Sequence, residues 1–285
     1  MVSIVYQHTL SKMLYLLSII AILSALLSFT LPYKYYLSIW ILITSLGSTS
    51  VYIAVGLFIY FFGDFHKAYK AIYSLVFSAW VNDILKSLIA LPRPPNPLIN
   101  VSGYSFPSGH AQTTTTFWSS LSLYYNIYPL AVFSITIILL ISVSRVLLGV
   151  HTFIDVFAGI GLGFAIASGL LIIFMYCGDR VRTRYMILHI LTTVFILISY
   201  LVYPSTDLIR FSGFVLGLSL HPIIYSKVSD DESIYIKVIK YLITLALSFI
   251  LFNVTFNLPL MFISSFLIGF IPPAIKFIRL RLRLS

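Results

Sequence analysis

Three short groups of polar residues stand at the ends of apolar segments, and together they suit the handling of a phosphoryl group. They are Lys86 with Arg93-Pro94, then Pro107-Ser108-Gly109-His110, then Ser144-Arg145 with His151 and Asp155. Cations neutralise phosphoryl oxygens, an imidazole can attack phosphorus, and a second imidazole can protonate the leaving oxygen. In a chain that is 60% hydrophobic and 9% charged, charges at such places are unfavourable unless they serve a function.

Each group also has a plainer reading. Lys86 lies near the end of a long apolar stretch, and Arg93 follows it between Pro92 and Pro94, which end a helix. Either cation alone reads as a snorkelling or loop charge. Ser108 suits an N-cap and Gly109 allows close backbone approach, so a helix starting there presents free N–H groups to an anion. Taken alone that is ordinary capping, but His110 adds a group that titrates near neutrality. The run Thr113 to Thr116 is expected to bond back to its own helix.

His151 and Asp155, at i and i+4, would share one face of a helix, where the carboxylate accepts one imidazole N–H and leaves the other nitrogen free to attack. Arg145 must approach across a bend at Gly149, and its planar fork suits the oxygens of a transferring phosphoryl group. A His-Asp pair can also ligate metal, but no further carboxylate or cysteine ligand is available on this face.

The elements that must position these groups are membrane helices. A mean hydropathy of +1.02 over 285 residues, with repeated apolar stretches near the length of a bilayer crossing, predicts a polytopic all-α integral membrane protein. Charge and proline punctuation predicts ten spans, at 13–31, 47–62, 69–91, 109–127, 130–149, 153–176, 185–203, 208–225, 237–254 and 257–275. The first is read as a retained helix because no small-residue cleavage site follows it. The aromatic stretch 33–46 reads as an interfacial helix ahead of the second span. The single cysteine, Cys177, excludes an intramolecular disulfide and a thiolate metal cluster.

Orientation follows from the cations. With a cytoplasmic N-terminus, the inner segments hold 13 of the 18 lysines and arginines, and all three polar groups fall on the non-cytoplasmic face. The net charge of +10 then reflects topology and not nucleic-acid binding, and the basic tail from Lys276 to Arg283 reads as a stop-transfer segment touching anionic lipid.

Taken together, Lys86-x6-Arg93-Pro94, Pro107-Ser108-Gly109-His110 and Ser144-Arg145-x5-His151-x3-Asp155 resemble the three signature motifs of the type 2 phosphatidic acid phosphatase family, which shares its phosphate site with vanadium haloperoxidases. The resemblance covers roughly residues 10–178 and implies a six-helix phosphatase core over 1–178, with no cofactor and no metal. It implies that His151 attacks phosphorus to give a phosphohistidine, that Asp155 orients it, and that His110 protonates the leaving group. Lys86, Arg93, Arg145 and the Ser108–Gly109 turn would bind the phosphoryl oxygens.

Residues 179–285 lie outside the resemblance: four further spans, with His189 and His221 lacking ligand-spaced partners and an acidic cluster at Asp230-Asp231-Glu232 in a cytoplasmic loop. This extension is expected to shape a groove for a lipid tail or to form an oligomer contact. The expected substrate is a membrane lipid phosphate or diphosphate. The proline-rich segment 92–106, with no cation besides Arg93, suits a lipid headgroup of one or two phosphates better than a sugar phosphate, and an outward-facing site in an apolar chain fits a polyprenyl diphosphate of the dolichyl or undecaprenyl type ahead of phosphatidate or a sphingoid phosphate. Two readings compete: a lipid phosphotransferase, in which an alcohol intercepts the phosphohistidine, and a lipid transporter. A transporter has no need of two histidines and the His-Asp spacing, and no inverted repeat is visible.

Overall fold

A computed structural model of the chain describes residues 2–176, 190, 193–194, 206–220, 233–252 and 257–277. Cys177, the basic link 178–184, most of the expected span 185–203, His189, His221, the acidic cluster and the tail from Arg279 on lie outside the described residues.

Among the described residues every regular element is helical: α1 (Val2–Ser28), α2 (Tyr33–Ser45), α3 (Thr49–Phe62), α4 (Phe65–Ile89), α5 (Gly109–Tyr125), α6 (Tyr128–Leu147), α7 (Phe153–Tyr176), α8 (Thr206–Ser219), α9 (Ile234–Phe252) and α10 (Leu258–Phe277). α7 coincides with its expected span. α1 begins eleven residues before its expected start at residue 13. The reason is that Lys12 marks where charge begins and does not interrupt helical hydrogen bonding. α2 is separate from α3, as expected, across a turn at Leu46–Ser48.

Among the described residues five helices are long and apolar enough to cross a membrane: His8–Ser28, His66–Ile89, Tyr128–Leu147, Phe153–Tyr176 and Ile234–Leu251. Their packing suits lipid as solvent. On α7 the exposed residues include Ile154 (73%), Phe157 (69%) and Met175 (68%), whereas α5 turns Gln112, Thr113–Thr116, Ser119 and Ser120 inward. That distribution would be unstable in water and is ordinary in a bilayer, where buried hydroxyls must find internal partners. Thr113, Thr115 and Thr116 do bond back to the carbonyls of Gly109, Ala111 and Gln112, while Thr114 instead meets the Tyr52 hydroxyl at 2.6 Å.

The chain divides into two compact units, Met1–Tyr52 with Leu85–Leu171, and Ile53–Ile84 with Ile172–Ser285. All three polar groups lie in the first. There α6 packs on α1, α2 and α5, and Ala25, Trp40, Leu148 and Val150 form a buried apolar cluster just before His151. α5 and α7 approach closely through Gly159 and Gly163. A Cβ at Gly159 would lie 2.7 Å from the Ser108 carbonyl, and one at Gly163 would lie 2.5 Å from that of Gln112. The resulting gap is closed by Thr116 Oγ1, which donates to the Gly163 carbonyl at 3.1 Å. In the second unit α8 and α10 cross in the same manner: a Cβ at Gly213, Gly217 or Gly269 would collide with backbone of the facing helix.

Candidate active site

The third group is organised by the way α6 stops and α7 starts. Gly149 adopts φ +69°, a conformation that favours glycine, and its N–H bonds the Val146 carbonyl at 2.9 Å. α7 then opens with a reciprocal capping box. The Thr152 N–H donates to Asp155 Oδ2 at 2.8 Å, and the Asp155 N–H donates to Thr152 Oγ1 at 3.2 Å. The expected helical face shared by His151 and Asp155 is therefore corrected: His151 lies in the turn before α7, and only Asp155 is on the helix. The glycine stop and the threonine cap bring the pair together. His151 Nδ1 lies 3.5 Å from Asp155 Oδ2.

The second group is tied to the third through backbone, because the Ser108 N–H donates to the Asp155 carbonyl at 3.0 Å. Ser108 precedes α5 but makes no side-chain capping bond, contrary to the sequence expectation. Its own N–H anchors it to α7, and its Oγ is buried without a partner among the described residues. His110 packs so close to α2's end that a Cβ on Gly47 would lie 3.1 Å from its Cδ2.

The first group sits where α4 ends, with Ala90 left-handed at φ +52° before Pro92. Lys86 Nζ donates to the Tyr104 carbonyl at 2.6 Å. Arg93 donates from Nε to the Gly103 carbonyl at 3.0 Å, from Nη2 to that of Ser102 at 2.9 Å and from Nη1 to that of Val150 at 3.0 Å. Arg93 Nη1 also lies 3.2 Å from His151 Nε2. A guanidinium only donates, so Nε2 carries the lone pair and the proton sits on Nδ1. Burial first, and then the charges of Arg145, Lys86 and Arg93 with His110, hold the His151 imidazole well below its ordinary value, which keeps it neutral at neutral pH.

Arg145 is 2% exposed. Its Nη1 donates to Thr44 Oγ1 on α2 at 2.7 Å, and its buried Nε has no partner among the described residues. Three residues that sequence reasoning did not single out therefore belong to the site: Thr44, Thr152 and Ser105, whose Oγ touches both members of the His-Asp pair. Thr152 had a readable signal, since Thr-x-x-Asp before an apolar run is a capping box. Thr44 had none.

Residues 67–179, which contain all three groups, match the family model described as the PAP2 superfamily. The likeness to the PAP2 superfamily thus spans the part of the chain that holds all three groups. The chain is 31% identical over 117 residues to a lipid A 1-phosphatase of Rhizobium johnstonii, covering 37% of this chain and 47% of that protein. It is 33% identical over 141 residues to phosphatidylglycerophosphatase B of Bacillus subtilis, covering 42% of this chain and 66% of that protein. The chain thus spans about half of the first relative and just under two thirds of the second. A crystal structure of a transmembrane PAP2-type phosphatidylglycerolphosphate phosphatase from Bacillus subtilis aligns with 60% of this chain and 98% of its own, at 21% identity and a TM-score of 0.44. The PAP2 match ends before α8, so α8–α10 lie beyond it.

Proposed function

We propose that the chain is a metal-independent membrane phosphatase of lipid phosphates that works through a phosphohistidine on His151. The observation that carries this reading is the placement of the His151 imidazole: buried, with Nε2 3.2 Å from Arg93 Nη1 and Nδ1 beside Ser105 and Asp155, an arrangement that leaves the Nε2 lone pair facing Arg93. Around it stand three cations and two buried donors without protein partners, Ser108 Oγ and Arg145 Nε.

In the first step Arg93 Nη1 moves from His151 Nε2 to a phosphoryl oxygen. Nε2 forms a bond to phosphorus, the bond from phosphorus to the lipid oxygen breaks, and His110 gives that oxygen its proton. In the second step water attacks phosphorus, neutral His110 takes the water's proton, the N–P bond breaks, and inorganic phosphate leaves. Lys86, Arg93 and Arg145 balance the charge on the equatorial oxygens throughout. Asp155 stabilises the positive imidazole ring of the intermediate.

The relatives' names point to lipid phosphates, lipid A and phosphatidylglycerophosphate, as the substrate class. Within it, a site on the non-cytoplasmic face of an apolar chain fits a polyprenyl diphosphate carrier first, and the non-polar segment 92–106 suits a lipid headgroup better than a sugar phosphate. Ten crossings, six in a core over 1–178 and four in the extension 179–285, complete the reading, with the site on the non-cytoplasmic side. The deciding experiment is phosphate release by the purified full chain across polyprenyl diphosphates and monophosphates, phosphatidate, phosphatidylglycerophosphate and sphingoid phosphates. Activity is expected to persist in excess EDTA and to be blocked by vanadate. Strict magnesium dependence would sink the mechanism, and a new phosphorylated lipid in place of free phosphate would identify a phosphotransferase.

The site's orientation is tested by labelling. In a Cys177→Ser background, Asn100→Cys should react with a membrane-impermeant maleimide in intact cells, whereas Thr183→Cys should react only after permeabilisation. The reverse pattern would place the chemistry in the cytoplasm.

A further inference from the structure

Ser105 belongs to none of the three groups, yet it lies between the members of the His-Asp pair. It is 2% exposed, and its Oγ is 2.6 Å from Asp155 Oδ2 and 3.3 Å from His151 Nδ1. The direct separation of Nδ1 and Oδ2 is 3.5 Å, longer than an ordinary hydrogen bond. An ionised carboxylate only accepts, so the short contact is the Ser105 O–H donating to Asp155. A serine has one such hydrogen. With it committed to Asp155, Oγ faces Nδ1 as an acceptor, and Nδ1 must carry the ring proton.

This is the tautomer that Arg93 requires from the opposite side of the ring, where its Nη1 meets Nε2. The position of Ser105 is set by main chain. Its N–H donates to the Leu91 carbonyl at 2.8 Å, and the two preceding carbonyls, of Tyr104 and Gly103, accept from Lys86 and Arg93. The same cations that face the phosphoryl group thereby hold the peptide that carries Ser105.

We propose that Ser105 is a positioning residue for the nucleophile: its hydroxyl bridges His151 and Asp155, selects the Nδ1–H tautomer, and links the carboxylate to the ring across a gap that the direct pair spans poorly. The inference rests on the phosphohistidine reading above. The hydroxyl touches neither phosphorus nor leaving group, and Nδ1 keeps its proton through the cycle.

The test compares full-length wild type, Ser105→Ala and Ser105→Thr in two measurements: phosphate release, and binding of orthovanadate followed by calorimetry. Ser105→Ala is expected to lower kcat by about 10–100-fold, the scale found for groups that orient a functional histidine, with KM within about twofold. It should weaken vanadate binding by about tenfold, because the ring nitrogen that meets vanadate loses its orientation. Ser105→Thr keeps a hydroxyl and should recover most of both losses. A packing role predicts the opposite order, since threonine is the larger intrusion into a buried site. Vanadate affinity equal in wild type and Ser105→Ala overturns the proposal whatever the phosphatase assay gives, as does a threonine variant no better than alanine or an effect confined to KM. A wild type that binds vanadate in a Ser105-dependent way but releases no phosphate overturns the proposed function and leaves the positioning role standing.

Discussion

His151→Ala is expected to abolish turnover, with a fall in kcat of about a millionfold, the scale seen when a covalent nucleophile is removed. The protein should still insert and fold. Without the imidazole, Arg93 keeps its bonds to the carbonyls of Ser102, Gly103 and Val150, and Asp155 keeps those to Thr152 and Ser105. Asp155→Asn should be milder, about ten-thousandfold by analogy with the carboxylate of a catalytic triad. An amide oxygen can still accept from Thr152 and Ser105, but the charge that favours the positive ring is gone. The measurements are kcat on a preferred lipid phosphate and acid-labile phosphate trapped on the protein. Wild type should trap phosphate and His151→Ala none. Near-normal turnover in His151→Ala would end the covalent assignment.

What was legible in the sequence was whatever one segment of chain determines by itself. Helix positions followed from runs of apolar residues, and Gly149, Pro92 and Gly109 marked the ends of α6, α4 and α5 because backbone conformation is a local matter. The three polar groups could be picked out as candidates for the same reason: each is a short stretch at a helix end.

Tertiary approach was not legible. Thr44 reaches Arg145 across 101 residues, and Ser105 reaches His151 and Asp155 across 46 and 50, with nothing in their neighbours to announce it. Ser108 shows the converse error. Residue type pointed to a cap, but a bond from its N–H to α7 engages the residue from the other side and leaves its hydroxyl buried without a partner.

The His-Asp pair illustrates why spacing alone misleads about cause. Four residues separate the two on a helix face and also across a turn that enters a helix, and the structure takes the second route. The difference matters chemically. A turn residue is free of its own helical hydrogen bonds, so His151 lends its ring to Arg93 on one side and Ser105 on the other, while Asp155 is held by α7's own cap.

Arg145 is the second residue whose loss should nearly silence the proposed activity, and here activity and stability are expected to part. Its guanidinium is buried, one nitrogen meets a neutral hydroxyl, and Nε has no partner. A cation held that way is destabilising for the protein alone, since burial removes water and no carboxylate is bonded to it in return. On the proposed function an arriving phosphoryl group would supply the missing anion, and the unfavourable term in the free protein would become attraction in the transition state. Arg145→Met should therefore lower kcat/KM by about a thousandfold or more, in the range for an arginine acting on a transferring phosphoryl group, while the melting temperature stays level or rises. Arg145→Lys keeps the charge but loses the planar fork and should still lose about a hundredfold. Thr44→Ala removes only the anchor of Nη1 and should cost about tenfold, with most of the loss in KM. If Arg145→Met both unfolded the protein and left residual activity proportional to the folded fraction, the guanidinium would be a structural element and not a phosphate ligand.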